Sequence, residues 1–511
     1  MIATLRSIGA IALLTTVVSS GEAAQTGPDL RWVQQFGTAG TVWDHATAVA
    51  VDGEAYVVGS FDATGGPDAF ARKFDSDGNV VWTRQFGTSN FDRGLGVAVH
   101  SSGVYVVGET YGTFPGQVNP GGFDAFVRKY DVFGNELWTR QFGFPVTFPF
   151  IPADHATAVF VDVSGVYVAG WTETNNRDAF VAKYGHSGTL IWLDRFGTNE
   201  ANVHDLATGI AGDASGIYVV GVLAGHGFVR KYDAGALSPQ TAWTTTFPFA
   251  ALNAVSAAPS GIYVAGSISG NGRDAVIGKF NTDGNQVWTH VFGTGADDEA
   301  QGVSASESGV YVTGFAGAAL PGRSAVGGHD VFIRKYDEDG NEAWTEQFGT
   351  IAGDEGHGIA TGPSGVYVAG STDGIFAHNS GSGGFDAFAA RFAELPRITV
   401  AIDIKPGATP NTINLGSRGS IAVAIFSSTD FDATTIDPST VSLAGAAVEL
   451  KGRGTPMATV QDVNGDGLDD YVVHVETDAL QLSEVDTAAV LKAKTTNEIL
   501  ITGTDSIRIV R

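Results

Sequence analysis

The chain has no cysteine, which excludes a disulfide framework, a Cys-ligated zinc site and a thiol nucleophile. After the first twenty residues it has no apolar run of about 18 that would cross a membrane as a helix, so no membrane span is expected. Positive charge is scarce. Lys plus Arg is 29 against 55 for Asp plus Glu, a formal charge of −26, and nucleic acid and anionic membrane are therefore poor partners. Charged residues of both signs make up only 16%, beside 43% hydrophobic residues, and a chain this apolar is not disordered. Glycine is the abundant residue, with 69 of 511 positions, about twice the usual share and without a collagen-like period. Length alone would suggest three or four domains of roughly 150 residues.

Residues 1–24 read as a secretory signal peptide. Arg6 supplies a positive charge, Ile8 to Val18 is apolar, and Gly21 and Ala23 are small residues placed for a cut after Ala23. The competing reading is a buried N-terminal helix, against which stand the shortness of the stretch and the polar Gln25-Thr26 that follows. An exported protein is expected: secreted, extracellular, or periplasmic and cell-surface. No hydrophobic tail or sorting motif stands at Ser506 to Arg511.

Internal repeats decide the fold class. A Trp followed four residues later by Phe recurs at Trp32, Trp82, Trp138, Trp192, Trp243, Trp288 and Trp344. Tyr-Val-x-Gly, preceded by a Gly, places tyrosines at 56, 105, 167, 218, 263, 311 and 367. A third signature, Asp-Ala-Phe-Val-Arg-Lys-Tyr and its variants, begins at Asp68, Asp124, Asp178, His226, Asp274, Asp330 and Asp386. Each segment is short, rich in Val, Tyr, Phe and Trp, and bounded by turn residues, which predicts strands. In the second unit they fall at Leu95 to Val99, Val104 to Gly108, Asp124 to Tyr130 and Trp138 to Phe142. Four strands per repeat of about 50 residues is the pattern of a propeller blade. The expected fold is all-β: a seven-bladed β-propeller over 25–396, followed by a β-sandwich over 397–511. The last repeat lacks a Trp strand while Arg31 to Phe36 stands alone before the first, so the N-terminal strand is expected to complete blade seven.

The unit Asp124-Ala125-Phe126-Val127-Arg128-Lys129-Tyr130 through Trp138-Thr139-Arg140-Gln141-Phe142-Gly143, with Gly165-Val166-Tyr167-Val168-Ala169-Gly170, resembles the secreted bacterial β-propeller (SBBP) repeat family. The resemblance covers about residues 31 to 393 and implies an exported or cell-surface propeller with no general catalytic assignment. The strand layout is also similar to that of NHL propellers.

Loops after the second and fourth strands open on one face and are long and variable: Glu109 to Phe123, Phe144 to Ala153, Phe315 to His329 and Ser371 to Phe385. Variable loops on a rigid scaffold are where binding usually resides. This face carries Trp43, Tyr111, Phe114, Phe148, Phe150, Trp171, Phe315, Phe376 and His378, which either hold a ligand or fold the loops onto the rim. An Asp precedes the inner strand at Asp44, Asp92, Asp154, Asp205, Asp298 and Asp354, with Ala250 in the fifth repeat. These six read either as a carboxylate ring at the channel mouth that attracts a cation or cationic ligand or as turn caps for backbone N–H groups. Repetition favours the cap, and the same argument applies to Lys73, Lys129, Lys183, Lys231, Lys279 and Lys335.

No catalytic residues are assigned: neither a Gly-x-Ser-x-Gly, a His-Glu-x-x-His nor a phosphate-loop motif occurs. Asp75 to Trp82 looks like the Gly-x-x-x-Trp hairpin of quinoprotein dehydrogenases, but those enzymes typically close eight blades and often use adjacent cysteines. An extracellular lyase or hydrolase with a metal in the central channel is the enzymatic alternative to a binding or structural scaffold with a protein or carbohydrate ligand. The expected assembly is a monomer.

In the C-terminal segment, Asp403-Ile404-Lys405-Pro406-Gly407 with Pro410-Asn411-Thr412-Ile413-Asn414 resembles an accessory domain at the ends of secreted bacterial and archaeal proteins. Its chemistry sits in 462–470. Asp462, Asn464, Asp466 and Asp470 with the carbonyl of Leu468 offer hard oxygen ligands at the spacing of a Ca²⁺ loop, and Gly467 permits the sharp turn. The twelfth position is Val473 rather than Glu, so the loop is not a complete EF-hand and looks like those of dockerin-type modules. The competing reading is a solvated Asp-rich hairpin.

Overall fold

A computed structural model describes residues 28–510 apart from 41, 63–64, 145–152, 174–176, 199–202, 234–235, 249, 270–271, 394–396, 418, 453, 484–485 and 498. The leader expected at 1–24, and Phe148 and Phe150, lie outside the described residues. The chain divides into two compact units, Gly27–Glu394 and one containing Leu395–Arg511. Both are all-β. Among the described residues the only helical elements are the 3₁₀ turns Ala433–Thr435 and Thr477–Ala479, and no helix is long and apolar enough to cross a membrane.

In the larger unit the described strands form seven antiparallel sheets in succession. The second is representative, with strands Asp92–His100, Gly103–Thr110, Asp124–Tyr130 and Glu136–Phe142. The seventh takes three consecutive strands, Asp354–Gly362, Gly365–Thr372 and Gly384–Ala393. Its fourth is Asp29–Phe36, which pairs antiparallel with Gly384–Ala393 and sets Phe36 opposite Ala387. The first strand of each sheet packs beside that of the next in chain order, and that of the seventh packs on that of the first. The sheets therefore surround a common axis, as in a β-propeller.

Sequence explains why the second strands do not alternate. Each sheet is covered on both faces by its neighbours, so Gly103–Thr110 is buried at every position. Between the first and second sheets, for example, Tyr56, Val58 and Ala71 pack with Val104, Val106 and Phe126. The glycine of Tyr-Val-x-Gly has a steric cause. Every inner strand bulges at the same place, between Gly94 and Gly96 in the second sheet, and a Cβ on Gly108 would be driven into the Arg93 carbonyl.

The repeated tryptophans staple each sheet to the next. Trp32, Trp82, Trp138, Trp192, Trp243 and Trp288 donate Nε1–H to the carbonyls of Ser76, Val132, His186, Ala236, Thr282 and Glu338 at 3.0–3.1 Å. Those carbonyls lie in the hairpin between the third and fourth strands of the following sheet. Its glycine must be small as well as left-handed: Gly134, at φ 80°, packs against the Trp82 indole, and a Cβ there would lie 2.9 Å from the ring. The repeated lysines join the same seam. Lys129 Nζ donates to the His186 carbonyl at 3.2 Å and lies 5.0 Å from the centre of the Tyr105 ring, a cation–π contact.

The C-terminal unit has its own core, which includes Ile404, Ile413, Val423, Leu443, Val473 and Leu491. Its two larger sheets have five strands, including Ile436–Leu443, Ala488–Thr495 and Leu500–Ser506, and four strands, including Ser420–Ile425 and Asp470–Glu476.

Candidate functional site

All six repeated aspartates, Asp44, Asp92, Asp154, Asp205, Asp298 and Asp354, are fully buried. Their carboxylates turn back into the chain that enters the inner strand. Asp92 accepts the Thr88 N–H at 2.5 Å and the Thr88 hydroxyl at 3.0 Å. Asp44 accepts from Thr38 N–H and Asp62 N–H at 2.6 and 2.7 Å, Asp205 from Thr198 and Ala224 at 2.5 and 2.8 Å, and Asp298 from Thr294 and Gly317 at 2.5 and 3.0 Å. Asp154 accepts Phe144 N–H at 2.9 Å and Asp354 accepts Thr350 N–H at 2.6 Å.

A second aspartate, from the start of the preceding sheet's third strand, approaches each of them. A Cβ on Gly143 would lie 2.5 Å from Asp124 Oδ1 and 2.8 Å from Asp154 Oδ2, and at Gly349 the corresponding distances to Asp330 and Asp354 are 2.6 and 2.7 Å. The glycine after the Phe of the Trp strand is therefore small because two carboxylates fill its side-chain space. Burial, with the Asp154 charge adding to it and a Gln141 hydrogen bond opposing, pushes the Asp124 carboxyl up to about 7.

The residues after the six aspartates and after Ala250 of the fifth sheet are His45, Arg93, His155, Leu206, Ala251, Glu299 and Glu355, of which His45, Arg93 and Glu299 line a cavity that we take as the channel mouth. Opposite them on the second strands stand Ser60, Glu109, Trp171, Val222, Ser267, Phe315 and Ser371. Two residues further on, the bulge carries Thr47, Leu95, Thr157, Thr208, Asn253, Gln301 and His357. Four of these bond to the next inner strand: Thr47 to the Gly94 carbonyl, Thr157 to Ala207, Thr208 to Leu252 and Asn253 to Ala300, at 2.6–3.0 Å. Framework positions repeat from sheet to sheet; the position after the aspartates does not, and the bulge position keeps Thr in three sheets.

A cavity of about 470 Å³ lies among His45, Arg93, Leu95, Asn253, Glu299 and His357. The arginines around it are paired with carboxylates. Arg93 Nε stands 3.0 Å from Glu109 Oε1, whose other oxygen meets His155 Nδ1. Arg273 Nη1 stands 2.5 Å from Glu299 Oε2, and Asn253 donates to the other oxygen of Glu299 at 2.7 Å. His329 stands 3.3 Å from Glu355. His357 bonds to Gln301 at 2.5 Å and to the Ser371 hydroxyl at 2.9 Å. Burial lowers the pKa of both His45 and His357, the latter to about 4, so near neutral pH these rings act as uncharged hydrogen-bonding and stacking groups.

Aromatic rings frame the mouth. His155 stacks on Trp171 at 3.8 Å, Phe123 stacks on His155 at 5.7 Å, and Tyr111 meets Phe123 edge-on at 5.1 Å. Trp43 rests on Phe385 at 5.3 Å, is held by a parallel bridge to that strand, and leaves 64% of its surface exposed. Phe315 stacks on His329 at 4.6 Å. Phe114 and Phe376 are buried instead, packed on Phe126 and Phe388, and fold their loops down. His378 is exposed.

In the C-terminal unit, 462–469 forms the hairpin between Ala458–Gln461 and Asp470–Glu476. Asp462 accepts Gly465 N–H at 2.7 Å and Gly467 N–H at 3.0 Å, and Asp466 accepts Leu468 N–H at 2.8 Å. Asn464 Oδ1 accepts Asp466 N–H at 3.0 Å. Asp470 is fully buried and holds Ser427 N–H and Val463 N–H, both at 2.9 Å. Gly465 and Gly467 have φ of 79° and 87°. The donor set is hard oxygen, the chemistry that suits Ca²⁺. Among the described residues no group of three or more His, Cys, Asp or Glu side chains converges as a metal site.

No known protein-family model matches the chain. It is 25% identical over 350 residues to the regulatory protein FlaEY of Caulobacter vibrioides, an alignment covering 60% of this chain and 33% of that one; the chain thus spans about a third of this curated relative's length. Among solved structures it is similar to the WD40 β-propeller domain of Doa1, with 13% identity, 72% of this chain and 97% of that one covered, and a TM-score of 0.42. It is also similar to Sqt1 of Saccharomyces cerevisiae, with 9% identity, 76% and 94% covered, and a TM-score of 0.38.

Proposed function

We propose that the chain is an exported, monomeric binding scaffold: a seven-bladed propeller closed by its N-terminal strand, joined to a β-sandwich, with its ligand site at the channel mouth. The observation that carries this reading is the contrast within one chain. Seams repeat from blade to blade, whereas the mouth positions differ, and a repeat places no demand on residues it does not keep. In this reading the six aspartates are turn caps, and the ligand meets the residues beside them together with Trp43, Tyr111 and Trp171. Probing glycan and peptide arrays with the full-length chain tests it. Binding that is lost in Trp43→Ala with Arg93→Ala, and retained when the opposite-face residue Glu307 is changed to Ala, supports the mouth; equal loss in both variants refutes it.

The alternative is an extracellular lyase or hydrolase with a metal-assisted site in the channel. It is favoured by His45 and His357, whose rings lie 6.3 Å apart, with the Glu355 charge near both. Metal-dependent turnover of a polymer that disappears in His357→Ala would establish it.

We propose further that Asp462, Asn464, Asp466, Leu468 and Asp470 hold Ca²⁺ that stabilises the C-terminal unit. A ligand at 100 times its Kd adds about 2.7 kcal/mol, so a chelator should lower the melting temperature of this unit. Asp466→Ala should melt there with or without calcium. No shift on chelation would reject the site.

A further inference from the structure

Resting on the reading of the channel mouth as the ligand site, we infer that its ligand is a neutral saccharide, with one pyranose ring stacked on the exposed indole of Trp43. Three features of the mouth select this chemistry. The first is that its arginines are paired. In a chain of formal charge −26, the mouth gathers Arg93, Arg273 and Arg177, yet each is matched, by Glu109, Glu299 and Glu173. An anionic ligand would have to break these pairs to be compensated, and a neutral one leaves them intact.

The second feature is the form of the apolar surface. Trp43 is a single flat platform, locked by its backbone bridge to Phe385 and by ring contacts with Phe385 and His45. Rigid aromatic surface offers contact area at low entropic cost, and an indole face matches the C–H face of a sugar ring. The third is the arrangement of polar groups beside the cavity. Arg93, Asn253, Glu299 and Gln301 have planar heads: Asn253 spends its N–H groups on Glu299 and the Ala300 carbonyl and offers its Oδ1, while Arg93, which gives Nε to Glu109, offers its terminal N–H groups to adjacent hydroxyls. The cavity of about 470 Å³ has the size of a small-ligand pocket and admits the end of a glycan rather than a folded domain.

The test uses the full-length chain and follows tryptophan fluorescence and ligand-observed NMR during titration with cellobiose, chitobiose, maltose, lactose, mannobiose and xylobiose. At least one sugar is expected to bind. Trp43→Ala is expected to weaken it about tenfold or more with an unchanged melting temperature, Trp43→Phe to retain most of the affinity, and Asn253→Ala to weaken it as well. Binding unaffected by Trp43→Ala and Asn253→Ala overturns the assignment. If no sugar binds, a peptide selected from a random library separates the two readings: selected peptides whose binding is lost in Trp43→Ala leave the mouth as the ligand site and reject the saccharide, whereas the absence of any Trp43-dependent ligand rejects both.

Discussion

The seams between sheets and the mouth of the channel are built from the same strands, yet they obey different rules. At the seams, Trp, Lys, Tyr and Gly recur because each solves a problem posed by the adjoining sheet: a carbonyl to be satisfied, a ring to be covered, a bulge to be cleared. At the mouth, one strand position holds His45, Arg93, His155, Leu206, Ala251, Glu299 and Glu355 in turn. A single chain with internal repeats therefore separates structural from functional demand without any comparison to relatives. What the fold needs recurs in nearly every sheet, and what varies stands at the mouth.

The sharpest way to break the contrast is at the closure. Deletion of residues 25–37 removes the fourth strand of the seventh sheet and exposes an edge. The larger unit should lose its cooperative transition altogether in thermal melts followed by circular dichroism, while the C-terminal unit keeps its own. A truncated chain that melts as before would show that the seventh sheet does not need this strand. Next in size, Trp82→Ala should cost about 3–5 kcal/mol in denaturant titration, as for a large aromatic removed from a core, and also leave the Val132 carbonyl to Lys73 alone. Trp43→Ala at the mouth should change stability by less than about 0.5 kcal/mol. Equal costs for the two tryptophans would erase the distinction.

A further effect, smaller than that of Trp82→Ala, is electrostatic. Asp124 titrates near 7 in the folded chain, above its ordinary value, so between about pH 4 and 7 the folded state holds a proton that the unfolded state has released. Its contribution to stability is therefore greatest at acid pH and declines as pH rises through 7. Asp124→Asn should flatten that decline and stabilise the protein at pH 8 by about 1–2 kcal/mol. A variant with an unaltered pH dependence would remove Asp124 as its source.

Much of this architecture is legible in the sequence, because turns, strand lengths and repeat phase are local signals multiplied by repetition. The four segments of the second unit lie within the observed strands, whose ends extend by up to three residues. Less legible were the seams. The Trp pattern marks a strand, but its bond to the Val132 or His186 carbonyl joins residues about fifty positions apart and has no local trace. The six aspartates, read either as a mouth ring or as turn caps with repetition favouring the cap, are buried and accept backbone N–H groups in the structure. Successive side chains in a strand point to opposite sides, so the regular aspartates turn into the chain while their irregular neighbours reach the mouth. The bulge then adds Thr47, Asn253 and His357 to the same lining. It is a matter of register and carries no residue signature beyond the glycine opposite it.

The pairing of Asp29–Phe36 with Gly384–Ala393 also sets an order of events. The strand synthesised first has its partner synthesised more than three hundred residues later, so the ring stays open while nearly the whole unit is made. Closing so long a loop costs entropy that is recovered only at the end. Until then, both the early strand and the edge that waits for it are exposed to other chains. Ring closure thus waits for residues 384–393 to be made, and until then the early strand is the segment that a chaperone or a cotranslational partner would have to shield.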